Sequence, residues 1–171
     1  MKNCVLLLFE CNKASQSDYM YVKRVLNNEY CTNNRHLVPL YAGTKTNLYS
    51  ESMTKKIAIA IKKCGVDAVF NIIIFADVDS NQGEDAKRNQ ALLNYKPFSF
   101  NQYIVWFNHD IEEVMIGKRI SAKDKVKCAE NFFKNKDTAI NMTVLKNSNP
   151  LNSIKTSNLI LVLDKVFDKK K

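Results

Sequence analysis

The amino-acid sequence predicts an α/β domain with a mostly parallel, four-stranded sheet flanked by helices. Short apolar runs alternate with longer segments in which apolar side chains recur at helical spacing. One of the apolar runs has the composition of a strand that is buried on both faces. Because strands that alternate with helices pair in parallel through right-handed crossovers, these patterns favour a parallel sheet, with extra helices after its last strand.

The predicted central strand lies within residues 68–79, which read AVFNIIIFADVD. Eight of its first nine residues are apolar, and Asn71 is the exception. Asp77 and Asp79 stand one residue apart where the strand is expected to leave the core, and a polar segment that contains glycine follows. In open α/β sheets, ligand sites lie beyond the carboxyl ends of the strands, so this segment predicts the position of the functional site.

Three further strands are predicted by apolar runs at residues 4–9, 36–41 and 102–107. Pro39 cannot donate a hydrogen bond to a neighbouring strand, so the second of these strands is expected near an edge of the sheet. The segment NMTVL, residues 141–145, is a candidate for one more short strand.

Helices are predicted where apolar residues recur every three or four positions, at residues 17–30, 50–64, 84–94, 111–120, 123–136 and from 157 onward. Expected N-caps are Ser17 or Asp18, Ser50 or Ser52, Asp110 with Glu113 in a capping box, and Ser157. Gly65 is the expected C-cap of the second helix. In the helix over residues 123–136, we expect Val126, Ala129 and Phe133 to face the core.

The length and charge of the chain limit its class. With 171 residues we expect one domain, with a core over about residues 3–118 and a helical C-terminal extension over about residues 119–171. The formal net charge is +9 and the pI is about 9.3, which favours a polyanionic partner such as nucleic acid. The alternative reading is a compositional bias, because lysine, asparagine and isoleucine are frequent throughout the chain.

The cysteines and the hydropathy pattern indicate a soluble, cytoplasmic protein. The five cysteines are scattered and include no C-x-x-C pair, which suits reduced thiols better than a disulfide framework or a zinc site. We expect no signal peptide, since the N-terminal apolar run is short and lacks a small-residue cleavage site. No segment approaches the roughly 20 apolar residues that a membrane span requires, so no membrane partner is expected.

Acidic side chains follow three of the predicted strands. Glu10 follows the first, Asp77 and Asp79 end the central strand, and Asp110 follows the fourth. If these strands are neighbours in a parallel sheet, their carboxyl ends converge. Clustered carboxylates repel one another unless a cation neutralises them, and Mg²⁺ prefers such oxygen ligands. The pattern therefore predicts a divalent-cation site.

The order of these motifs resembles the TOPRIM family, which includes topoisomerases, primases and the OLD-type and RloB-like nuclease proteins of bacterial defence. That family carries a Glu after its first strand and D-x-D at the end of its third, in a Rossmann-like sheet. FEC, which contains Glu10, is similar to the first element, and FADVDS, which contains Asp77 and Asp79, to the second. The stretch FECNKASQSDYMYVKRVL looks like the opening of the small RloB-like proteins.

The resemblance implies a nuclease that uses Mg²⁺ or Mn²⁺. The resemblance makes Glu10, Asp77 and Asp79 the catalytic residues: Asp77 and Asp79 would hold the metal, and Glu10 would be either a further ligand or the general base. VWFNHDIEEVMIG is similar to the segment that supplies a further acidic residue in such families, so Glu113 would be another ligand, with Glu112 as the alternative. We also expect Lys13, Lys87 and Arg88 to contact nucleic-acid phosphates, as lysine and arginine do in general.

A second hypothesis is a TOPRIM-like binding or regulatory module without chemistry. RloB-like proteins commonly have Gly after the Glu, whereas Cys11 stands here. Many TOPRIM proteins act beside an ATPase, and because this sequence contains no G-x-x-x-x-G-K-[ST], an ATPase would be a separate partner. A response-regulator receiver also pairs acids at strand ends, but it needs two adjacent acids after its first strand, where this chain has only Glu10.

Simpler structural roles compete with each site assignment. Asp77 and Asp79 would then bind backbone amides in a turn, and Glu10 would be a solvated loop residue. Asp110, Glu112 and Glu113 would only complement a helix N-terminus. His109 is expected to be a surface imidazole, Trp106 and Tyr103 core residues, and Cys11 no nucleophile because it has no base partner.

Overall fold

A computed structural model describes residues 3–65, 68–135, 137–152 and 154–170. The helices and strands follow one another along the chain as β1 (Asn3–Phe9), α1 (Ser17–Glu29), β2 (Tyr30–Cys31), β3 (Arg35–Tyr41), α2 (Lys45–Leu48), α3 (Glu51–Cys64), β4 (Val69–Val78), α4 (Gly83–Asn94), β5 (Asn101–Asn108), α5 (Ile111–Ile116), α6 (Lys125–Lys134), a 3₁₀ turn (Pro150–Asn152), α7 (Leu159–Val166) and β6 (Asp168–Lys169).

Four strands form one parallel sheet in the order β3-β1-β4-β5, flanked by helices, which is the arrangement of a Rossmann-like fold. The predicted fold class is therefore confirmed. β3, which contains Pro39, lies at an edge of this sheet as expected. The two-residue strands β2 and β6 pair antiparallel and are separate from the main sheet.

Both faces of the central strands are covered. In β1, Val5, Leu7 and Phe9 face a cluster that contains α1 and the C-terminal helices, while Leu6 and Leu8 face α3 on the other side. β4 is buried along nearly all of its length because it has a neighbour on each side and helices above and below. The C-terminal extension completes the first of these clusters through side chains such as Phe132, Leu145 and Leu163.

Several local expectations hold and others are wrong. Ser50 caps α3 through a 3.2 Å hydrogen bond from the Met53 amide, and Gly65 ends the helix at φ 103°. Neither Ser17 nor Asp18 caps α1, because both lie inside the helix and its N-cap is Gln16. α5 is shorter than predicted, since Gly117 at φ 82° ends it one turn early.

The region after α5 departs most from expectation. α6 spans Lys125–Lys134, and Lys136, its expected end, lies outside the described residues. Ala129 is buried as expected, but Val126 is exposed and Phe132 is buried in place of Phe133, so the buried face of α6 is centred on Ala129 and Phe132. NMTVL forms turns instead of a strand.

The expectation of reduced thiols is wrong for one pair of cysteines. Cys4 of β1 and Cys64 at the end of α3 are joined in a disulfide across 60 positions of sequence. Such a long separation carries no local sequence signal, because the fold itself brings the two residues together. Among the described residues, no helix combines the length and the apolar composition that crossing a bilayer would need.

Candidate functional site

Glu10 and Asp77 meet at the carboxyl edge of the sheet. β1 and β4 are adjacent and pair Phe9 with Phe75, so Glu10 leaves β1 beside the last residues of β4. The Asp77 amide donates a hydrogen bond to Glu10 Oε2 over 3.3 Å. The parallel pairing of two strands thus brings the Glu10 carboxylate against the backbone of Asp77, although the two residues are far apart in sequence.

The environment of this pair favours the protonated form of both acids. Burial raises the pKa of Glu10 to about 7, although the nearby Lys45 ammonium opposes this shift. Burial also raises the pKa of Asp77 well above its ordinary value, and the negative charges of Asp18 and Glu10 add to the effect. Asp77 Oδ1 accepts a hydrogen bond of 3.1 Å from the Ile111 amide, which ties the start of α5 to the same place.

Asp79 lies beyond the end of β4 and has a different partner. Its Oδ2 is 2.6 Å from the ammonium of Lys45, whose side chain is buried at the start of α2 while that of Asp79 is 57% exposed. Its negative charge nonetheless reaches Glu10 and raises the pKa of that acid slightly. In the described part of the chain, the carboxylates of Glu10, Asp77 and Asp79 do not come within 4.8 Å of one another as a set of three.

The three acids near the start of α5 have separate roles. Asp110 caps the helix, as predicted, by accepting a 2.8 Å hydrogen bond from the Glu113 amide. Glu112 is fully buried, and its Oε2 is 2.9 Å from Lys125 Nζ, while its Oε1 has no hydrogen-bond partner. Glu113 turns away from Asp77 and lies 3.7 Å from the Nδ1 of His109, an exposed residue.

Two cavities open along this edge and divide the predicted residues between them. The first, of about 300 Å³, is lined by Glu10, Asp77, Asp18 and Lys125, among others. The second, of about 350 Å³, is lined by Asp79, His109, Asp110, Glu113 and Arg119. Asp77 and Asp79 therefore face different openings, although only one residue separates them.

Sequence reasoning missed three charged residues of this region. Asp18 accepts hydrogen bonds from the Cys11 amide at 3.2 Å and from Ser17 Oγ at 2.9 Å, and burial raises its pKa. Lys45 lies in the segment expected to be a loop, where Thr44 caps the short α2. Lys125 begins α6 and contacts both Glu112 and, at 3.6 Å, Asp110. The one available signal was Thr44, whose spacing to α2 fits an N-cap.

The predicted phosphate contacts lie on the surface. Lys13 is exposed in the loop after β1. Lys87 and Arg88 are exposed on α4 and pair with Glu84 and Asp85 one turn earlier, at 2.7 and 3.0 Å. Trp106 is buried in the core, as expected. Burial raises the pKa of Cys11 to about 12, which keeps the thiol protonated and agrees with its rejection as a nucleophile.

Carboxylates are concentrated at this edge of the sheet. Six carboxylates interact at this edge: Glu10, Asp18, Asp77, Asp79, Asp110 and Glu112. Lys45 and Lys125 pair with three of them. Burial, together with the charges of neighbouring acids, raises the pKa values of Glu10, Asp18, Asp77 and Glu112.

No protein-family model matches this chain, and no match was found among the curated proteins or the solved structures.

Proposed function

We propose that this protein is a nuclease-type phosphodiesterase that depends on Mg²⁺ or Mn²⁺ and acts on nucleic acid, as its resemblance to TOPRIM proteins implies. The observation that carries the proposal is the contact between Glu10 and the Asp77 backbone at the carboxyl edge of the sheet. In α/β sheets this edge is where ligands bind.

The side chains fit a divalent cation. The Glu112 Oε1 atom is buried without a hydrogen-bond partner, and buried polar atoms ordinarily have one. The acidic side chains that line the first cavity, Glu10, Asp18 and Asp77, offer carboxylate oxygens, which Mg²⁺ prefers over nitrogen or sulfur. A bound cation would also lower the raised pKa values of Glu10 and Asp77 by favouring their charged forms.

Glu10 and Asp77 would hold the ion. Glu112 is a better candidate for a further ligand than Glu113, because the charge of Glu112 raises the pKa of Asp77. Asp79 would bind the ion directly if its ion pair with Lys45 breaks, and would otherwise interact with the ion through a water molecule. When bound, the metal would supply Lewis-acid polarisation of a phosphodiester.

The other residues have roles that follow from their charge and place. The alternative role for Glu10 is that of the general base instead of a ligand, since a carboxylate with a pKa of about 7 is suited to take a proton from an attacking water at neutral pH. Lys125 and Arg119 line the two cavities, where their positive charges would meet phosphate oxygens. Lys13, Lys87 and Arg88 remain proposed contacts to more distant phosphates, through a basic surface whose affinity would fall with salt.

A second candidate function is a non-catalytic module that works with a partner ATPase. The observation in its favour is that lysines already pair with acids of the site. Lys45 holds Asp79 and Lys125 holds Glu112, so these carboxylates are neutralised without a metal. In that case the carboxyl edge would serve binding or regulation, and the carboxylates would be structural.

Cleavage assays distinguish the two functions. The purified protein is incubated with single- and double-stranded DNA and RNA, with Mg²⁺, with Mn²⁺ or with a chelator. The nuclease proposal predicts cation-dependent cleavage that Asp77→Asn lowers by at least about 100-fold, a loss of the size that follows removal of a group that stabilises the transition state. The matched control is Asp85→Asn on α4, where the same chemical change affects only an ion pair with Arg88.

Cleavage that Asp77→Asn does not alter, or no cleavage together with no metal binding, would overturn the nuclease assignment. The module hypothesis predicts no cleavage under any condition, and co-purification with an ATPase that survives the Asp77→Asn substitution.

A further inference from the structure

Cys4, His36 and Cys64 come together at the opposite, amino-terminal edge of the sheet. Cys4 in β1 pairs in register with His36 in β3, and Cys64 ends α3, which packs against these strands. One ligand atom from each residue, two Sγ atoms and one imidazole nitrogen, lies within 4.8 Å of the other two. Within the described ranges, this is the one group of three such residues that meets this distance.

These three residues are separate from the carboxylate site. Cys4 and Glu10 are six positions apart along β1, which corresponds to about 20 Å at the rise of a strand. Nothing in the proposed nuclease function uses this edge, so the inference that follows is independent of that function.

The donor set is that of a thiophilic metal ion. Two thiolates and an imidazole are ligands that Zn²⁺ accepts in tetrahedral sites, and bonds of about 2.3 Å to sulfur and 2.0 Å to nitrogen separate the donor atoms by about 3.5–3.8 Å. The three donor atoms lie within 4.8 Å of one another, so small side-chain rotations would bring them to this separation. The site differs from the carboxylate edge, whose oxygen donors favour hard cations.

The surroundings give the site an entrance. Cys4 is fully buried and Cys64 nearly so, whereas His36 is exposed. His36 and Cys64 line a largely apolar cleft of about 280 Å³ together with Lys56 and Lys63. The cleft leaves a fourth coordination position open to water. Zn²⁺ with two thiolates adds no net charge beside these lysines.

The disulfide and the metal site exclude each other, because a sulfur in a disulfide has no thiolate charge to donate. We propose that the Cys4–Cys64 disulfide and a Zn²⁺ site made of Cys4, Cys64 and His36 are two alternative states of this edge. A dithiol reductant converts the first state to the second. It gives two electrons and two protons to the cysteine sulfurs and becomes a disulfide itself, and the two new thiols lose their protons when they bind Zn²⁺.

Both states would join β1 to the end of α3. The disulfide links β1 to the end of α3, and the metal site would add β3 through His36. Reduced, metal-free protein would have neither link. We therefore expect Zn²⁺ to restore the stability that reduction removes.

The experiment titrates Zn²⁺ into the full chain in competition with a chromophoric chelator. The protein is first reduced with a dithiol, which is then removed by desalting without oxygen, and a second sample is left oxidised. We expect one Zn²⁺ per reduced chain and none at this site in the oxidised chain. Co²⁺ in place of Zn²⁺ should give the thiolate-to-cobalt absorption band of a tetrahedral site.

Three variants test the ligand set. Cys64→Ser should abolish the cobalt band, and His36→Ala should weaken Zn²⁺ binding at least about tenfold. His36 is exposed, so this variant keeps the fold even if Cys64→Ser does not. Cys31→Ser, at an exposed free cysteine, is the matched control and should bind as the parent does. Equal binding by oxidised and reduced protein, no binding by reduced protein, or an unchanged affinity in His36→Ala would each overturn the proposal.

Discussion

The Asp77 backbone amide donates to the Glu10 carboxylate over 3.3 Å, although 67 positions of sequence separate the two residues. The bond joins the ends of two adjacent parallel strands and holds one acid of the candidate site against another. Burial raises the pKa values of both Glu10 and Asp77. The carboxylates around this bond also outnumber the lysines that pair with them. The predictions below follow from this charge imbalance.

Changing Glu112 to glutamine should lower the free energy of unfolding much more than the same change at Glu113. Glu112→Gln is expected to lower the free energy of unfolding by about 1–3 kcal/mol, because the Lys125 ammonium loses a charge-assisted hydrogen bond inside the protein. Glu113→Gln should change it by less than about 0.5 kcal/mol, since its partner His109 is exposed. Urea unfolding followed by circular dichroism measures both values.

Adding Lys125→Met to Glu112→Gln should recover part of the loss, because the double variant contains no ammonium that has lost its hydrogen bond to Glu112. Equal effects of the two single glutamine variants would contradict the pairing of Glu112 with Lys125.

In the proposed cation site, Lys45 would compete with the metal ion for Asp79, its ion-pair partner. Lys45→Met keeps the buried apolar stem and removes the ammonium, so Asp79 becomes available and the negative charge near Glu10 increases. We expect the affinity for Mn²⁺ to rise about fivefold, which corresponds to about 1 kcal/mol. Lys87→Met, which removes an exposed ion-paired lysine on α4, is the control and should leave the affinity unchanged.

Isothermal titration calorimetry with Mn²⁺ measures these affinities. Weaker binding by Lys45→Met than by the parent protein would show that the lysine supports the cation site instead of competing for it.

The stability of the metal-free protein should fall as the pH rises through the range in which Glu10 titrates. The pKa of this acid is about 7 in the folded chain and 4.5 as its ordinary value. Below the lower value both states are protonated and folding carries no penalty from Glu10. Between the two values the unfolded chain gives up its proton while the folded chain keeps it, so stability declines with rising pH.

The measurement is the unfolding midpoint in chelator at several pH values between about 4.5 and 7.5. Glu10→Gln should flatten the decline, since glutamine does not titrate, and saturating Mn²⁺ should flatten it in the parent protein. A midpoint that rises over this range and is insensitive to Glu10→Gln would contradict the raised pKa.

The sequence predicts that Glu10 and Asp77 lie at the same edge of the sheet, whereas the pairing of β1 with β4 that brings them together is a finding of the structure. Alternating strands and helices predict a parallel sheet, and the carboxyl ends of neighbouring parallel strands lie at one edge. β3 could likewise be placed at an edge, since Pro39 lacks an amide hydrogen.

The charged partners of the site could not be predicted in this way. Lys45 lies in a four-residue helix, which is too short to show a period, and Asp18 resembles an ordinary N-cap residue until its contacts with Cys11 and Ser17 are known. The choice between Glu112 and Glu113 depends on a rotation of about 100° around α5. The Cys4–Cys64 pair depends on how α3 packs on β1, which no local pattern records.

The most direct test of the central claim is the binding of Mn²⁺ to the purified chain at neutral pH, measured by electron paramagnetic resonance for the parent protein, Asp77→Asn and Asp85→Asn. We expect one bound Mn²⁺ per chain in the parent and in Asp85→Asn, and no bound Mn²⁺ in Asp77→Asn. No bound Mn²⁺ in the parent, or the same binding in all three proteins, would contradict the claim that Glu10 and Asp77 form a cation site.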